Sequence, residues 1–70
     1  MTDNAKFIIE TTEAPVLKWA VRQVRSGKVK SDAMAMALHP VSPARTLKSI
    51  AAGLDDLAKL TLDKLPESLR

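Results

Sequence analysis

The stretch Ser31-Asp32-Ala33-Met34-Ala35-Met36-Ala37-Leu38-His39-Pro40-Val41-Ser42-Pro43 sets the organisation of this chain. Ser31 reads as a helix cap, and Asp32 sits in the first turn, where the positive helix end favours an acid. Ala33, Met34, Ala37 and Leu38 form an apolar stripe that Ala35 and Met36 widen. Pro40 disfavours helical geometry at His39 and so ends the helix. Ser42-Pro43 restarts one: Ser42 caps, and Pro43 takes the first helical position, where its missing N–H costs nothing. The pattern predicts a helix over 31–39, a tight corner, and a helix over 43–65. In the latter, Leu47, Ile50, Ala51, Leu54, Leu57 and Ala58 share a face of about 120° at about 100° per residue. Leu62 and Leu65 continue that face, and Gly53 lies outside it, as a weak point or a place of close approach.

Working back from the corner, Lys28-Val29-Lys30 is a linker, and Ser26-Gly27 ends a preceding helix over 14–26. Thr12 is its cap and Pro15 falls in its first turn. Val16, Leu17, Ala20, Val21 and Val24 lie within about 140° of one another as a buried face. Lys18, Arg22 and Arg25 form a basic ridge opposite, and Trp19 stands off the apolar face. Residues 6–12, with Phe7, Ile8, Ile9, Thr11 and Thr12, are rich in strand formers. They read as a strand-like extended arm, and residues 1–5 as frayed. No second strand-like run exists, so a true strand would have to pair with another copy or another protein. The fold expected is mostly α: a single three-helix domain with an N-terminal strand-like arm, helix-turn-helix-like and dimeric.

Composition narrows the chemistry. The 70 residues include no cysteine, which removes disulfides, thiolate metal sites and thiol nucleophiles. His39 is the sole histidine, and no acid, serine or second base stands at a spacing that builds a triad or metal shell. Gly27 and Gly53 are the only glycines, too few for a phosphate-cradling loop. No catalytic, cofactor or metal residue is therefore assigned, and a non-enzymatic protein is expected. The apolar run Phe7-Ile8-Ile9, stopped by Glu10, is shorter than a secretory leader or membrane span requires. A cytoplasmic location follows as the expectation.

The formal charge of +3 is unevenly placed. Lys18, Arg22, Arg25, Lys28, Lys30, Arg45 and Lys48 face a single acid, Asp32, across residues 14–50, whereas the flanks are net acidic. A basic middle points to an acidic partner. Residues 31–52 resemble a helix-turn-helix, with His39-Pro40 in the turn where a glycine is usual. The resemblance implies that the start of the second helix enters a major groove, with Arg45 at base edges and Ser42 and Lys48 on phosphates, while Lys28, Lys30 and the ridge of Lys18, Arg22 and Arg25 reach further phosphates. The order strand 6–12, helix 14–26, helix 31–38 is also similar to ribbon-helix-helix proteins, although Glu10 on such a ribbon would repel phosphate.

The first expectation is thus a small dimeric regulator binding duplex DNA through its basic middle segment. The alternative is an adaptor or inhibitor docking on a larger protein through its apolar arm and leucine-rich end. For that, Phe7, Ile9, Trp19, Leu57, Leu62 and Leu65 are the interface candidates.

Overall fold

Thr2 accepts a hydrogen bond from the Ala5 amide at 3.2 Å and so caps a helix that sequence reasoning did not expect. In the computed structural model, which describes residues 1–41 and 45–70, helix α1 runs Asp3–Thr11. It replaces both the frayed 1–5 segment and the extended arm 6–12. The reason is tertiary. A lone strand here leaves its ladder unpaired, whereas a helix satisfies its own backbone and buries Ala5 and Ile8. Thr12 is extended at the end of α1, with its amide on the Ile8 carbonyl at 3.0 Å. It does not cap the next helix: Glu13 holds that position, without a side-chain bond.

Helix α2 spans Ala14–Arg25. It ends as Gly27 requires: φ is +78°, the Gly27 amide bonds to Val24 and the Lys28 amide to Gln23. That pair of bonds is the Schellman closure, which needs a left-handed residue at this point. Helix α3 spans Ser31–Leu38, and a 3-10 turn over His39–Val41 extends it. Ser31 is the first helical residue rather than the cap, because its hydroxyl donates across to Asp55 at 3.0 Å.

Helix α4 spans Leu47–Lys59, inside the single helix expected over 43–65. Thr46 caps it by accepting from the Ser49 amide at 3.1 Å. The Ser42 cap and Pro43 start fall outside the described residues. At the other end Leu60 and Thr61 are extended, and 3-10 turns follow over Leu62–Lys64 and Glu67–Leu69. A straight helix over 43–65 would be about 34 Å long, more than the 29 Å longest dimension of the molecule. Folding back instead buries Leu65 and Leu69. Among the described residues there is no strand.

Helix α4 is the centre, packed by α1, α2 and α3. Ile50, Leu54 and Leu57 are fully buried, and they meet Ile8 of α1, Leu17, Ala20 and Val21 of α2, and Met34, Ala35 and Leu38 of α3. Helix α1 runs antiparallel to it: Thr2 donates to Asp56 at 2.6 Å, Asn4 abuts Gly53, and Phe7 lies under Arg45. Gly53 is thereby inside the buried face, not outside it. A Cβ there would stand 2.7 Å from the Asn4 carbonyl oxygen. Three apolar faces are also rotated from expectation. Val16, Leu47, Ala33 and Ala37 are exposed, while Ala35 is buried.

Candidate interaction surface

Helix α2 buries Leu17, Ala20 and Val21, with Val24 half-buried beside them. At about 100° per residue, Trp19 falls roughly 150° from the centre of that stripe and Val16 about 90° from it. Both point outward: Trp19 is 52% exposed and Val16 39%. One helical turn apart, they share the solvent face of the helix. Val16 also borders a cleft of about 310 Å³ where α1 meets α2, lined by Thr11, Thr12 and Glu13. Arg22 follows Trp19 by three residues and is exposed, and Lys18, next to Trp19, is half-buried. The result is an apolar strip with a cationic edge. Sequence reasoning singled out Trp19 but placed Val16 in the core, although its position at the margin of the stripe was the available signal.

The basic residues do not form one patch. Arg25 is held by the fold: its guanidinium donates to the Leu60 carbonyl at 2.8 Å and the Leu57 carbonyl at 3.4 Å. The Leu57 carbonyl also accepts the Leu60 amide at 3.2 Å, so Arg25 adds a second donor where α4 closes. Arg45 lies at the opposite end of α4, with its guanidinium 4.0 Å from the centre of the Phe7 ring. Arg22 makes a long contact, 3.5 Å, to the main-chain oxygen of Arg70. Lys28, Lys30 and Lys48 are exposed. Lys30 precedes Ser31, whose partner Asp55 lies two turns from Lys48 on one side of α4. Ser42 lies outside the described residues. Eight residues separate α3 from α4, against the three or four of a helix-turn-helix.

The apolar candidates divide. Leu57 and Leu65 belong to the core, at 0% and 3% exposure, because the chain folds back after α4. They present nothing to a partner. Phe7 and Ile9 are half-buried, and Leu62 and Trp19 are exposed. The accessible area of 4428 Å² is close to the roughly 4300 Å² expected of a folded chain of 7.6 kDa.

One prediction separates a structural Arg25 from a DNA contact. Arg25→Met keeps the aliphatic stem and removes both bonds to the end of α4. It should lower stability by about 1 kcal/mol, read by urea denaturation, because two carbonyls lose a charged donor. A variant as stable as the parent would remove the capping role.

The fold is that of a small, mostly α-helical domain of four helices among the described residues. None of those helices is long and apolar enough to cross a membrane. No protein-family model matches the chain, and no curated protein and no solved structure matches it.

Proposed function

We propose that this chain is a small interaction module without catalytic activity, which holds a protein partner against the exposed face of α2. Trp19 carries the proposal. It is the only tryptophan, and about half of its surface is open. A large aromatic side chain buries up to about 250 Å², so roughly 130 Å² remains uncovered. At about 25 cal/mol per Å² its burial would contribute about 3 kcal/mol, the weight of an interface hot spot. Val16 and the adjoining cleft add apolar surface on the same side. This keeps the adaptor function that the sequence offers as the alternative but moves its surface from the apolar arm and leucine-rich end to α2.

Trp19→Ser is the test. Because the side chain is half in water, the variant should fold with a stability within about 1 kcal/mol of the parent. Immobilised on resin, the parent should retain a set of proteins from an extract that Trp19→Ser loses and Leu62→Ser keeps. Identical retention by all three would remove the proposal.

A second reading is favoured by the exposure of Lys28, Lys30 and Lys48: a regulator, dimeric on DNA, that contacts duplex phosphates with them and with Arg45. Its affinity for a labelled duplex should fall about tenfold or more between about 50 and 200 mM salt. Replacing the three lysines by alanine should flatten that slope. No binding at about 150 mM salt would dismiss it.

A further inference from the structure

We infer that the segment bound by α2 is acidic and amphipathic, an inference that rests on the protein-binding reading above. From Ala14 through Arg25 the helix carries Lys18, Arg22 and Arg25 and not one acid, and Lys28 and Lys30 follow before Asp32 appears. Arg25 is committed to the carbonyls of Leu57 and Leu60. Lys18 and Arg22 are thus the cations beside Trp19. Among the described residues, Arg22 has its 3.5 Å contact to Arg70 to give up.

The face is ordered across the helix. Around the axis, Val16 and Trp19 occupy one sector, and Arg22 and then Lys18 the next, within about 160° in all. A partner helix with apolar residues one turn apart would set one beside Val16, in the cleft, and the other on the Trp19 ring. Carboxylates on a single edge of that helix would then face Arg22 and Lys18. Opposite charge along an apolar seam fixes orientation and raises the encounter rate. Nucleic acid suits the face less well. Glu13 lines the cleft beside Val16 and would repel any anion there, which a helix with its acids on the Arg22 and Lys18 edge alone avoids and a phosphate backbone running along the seam does not.

The test is a displayed library of random peptides about fifteen residues long, long enough for marginal helicity. It is selected on the intact chain and counter-selected on Trp19→Ser. The recovered sequences should carry net negative charge and paired apolar residues. Synthesised, they should shift the emission of Trp19 to shorter wavelength. Arg22→Glu should weaken them about tenfold and Lys48→Glu, on another helix, less than about twofold.

Recovered sequences that are neutral or basic would overturn the acidic partner and leave the binding face standing. A selection with no Trp19-dependent sequence would overturn both. A single-stranded oligonucleotide that quenches Trp19 at lower concentration than any recovered peptide would overturn the inference in favour of nucleic acid.

Discussion

Gly53→Ala should destabilise the protein by about 2 kcal/mol, although glycine to alanine inside a helix ordinarily gains about 1 kcal/mol. The sign reverses because of what lies opposite. A Cβ at this position would stand 2.7 Å from the Asn4 carbonyl oxygen, 3.1 Å from the Asn4 carbonyl carbon and 3.1 Å from Ile8 Cδ1. The Ile8 methyl can rotate away, but the backbone of α1 cannot. Overpacking of this kind costs about 1 to 3 kcal/mol, and here the whole helix must shift to relieve it. Thr2 is bonded to Asp56 on α4, so a shift of α1 loosens that contact too. The midpoint of thermal unfolding should fall by roughly 10 °C for a domain of this size. Ile8→Ala in the same chain should recover none of the loss, because it leaves Asn4 in place. Gly27→Ala supplies the comparison. Nothing lies within 4 Å of its Cβ position, so only the left-handed φ of +78° is penalised, by about 1 to 2 kcal/mol. A Gly53→Ala chain as stable as the parent would mean that α1 does not rest on α4 at this point.

Much of the middle of this fold was legible from short-range chemistry. Gly27 announced the end of α2 because its left-handed closure is a local requirement. The periodicity of residues 14–26 located a helix there, and the same reasoning found α3 and the body of α4. The errors came where a distant element decides. Phe7, Ile8 and Ile9 favour a strand locally, yet α4 offers α1 a surface for Ala5 and Ile8 and no strand edge. Gly53 falls about 40° beyond Leu57, past the edge of the apolar stripe, and of the two roles open to it there the close approach is the one α1 uses.

The candidate surface was half legible. Trp19 stood off the stripe in the sequence, and its exposure follows from that. Nothing local could show that Arg25 would be held by carbonyls 32 and 35 residues away. Likewise, Arg45 and Phe7 meet only because α1 runs back along α4. Counting charge along the chain therefore overstated the cations available to a ligand.

Leu57→Ala and Leu62→Ala should differ by about 3 kcal/mol, though in sequence both belong to one leucine-rich segment. Leu57 is 0% exposed and Leu62 62%. The difference arises between them, where α4 ends: Leu60 turns extended and Arg25 takes up the Leu57 and Leu60 carbonyls. Leu57 lies on the face of α4 that contributes Ile50 and Leu54 to the core. Truncating a leucine so placed costs about 2 to 5 kcal/mol, since both the transfer energy and the cavity count. A domain of this length has on the order of 5 kcal/mol in hand, so Leu57→Ala should keep only about 2 kcal/mol and melt roughly 15 °C earlier. Leu62→Ala removes a side chain already in water, and its effect should stay within about 0.5 kcal/mol. Circular dichroism on heating measures both. The comparison also bears on function, because a partner docked on the leucine-rich end would be sensitive to Leu62→Ala without loss of fold. With the docking face on α2, Leu62→Ala should bind as the parent does, and Leu57→Ala should lose binding only in proportion to the fraction unfolded.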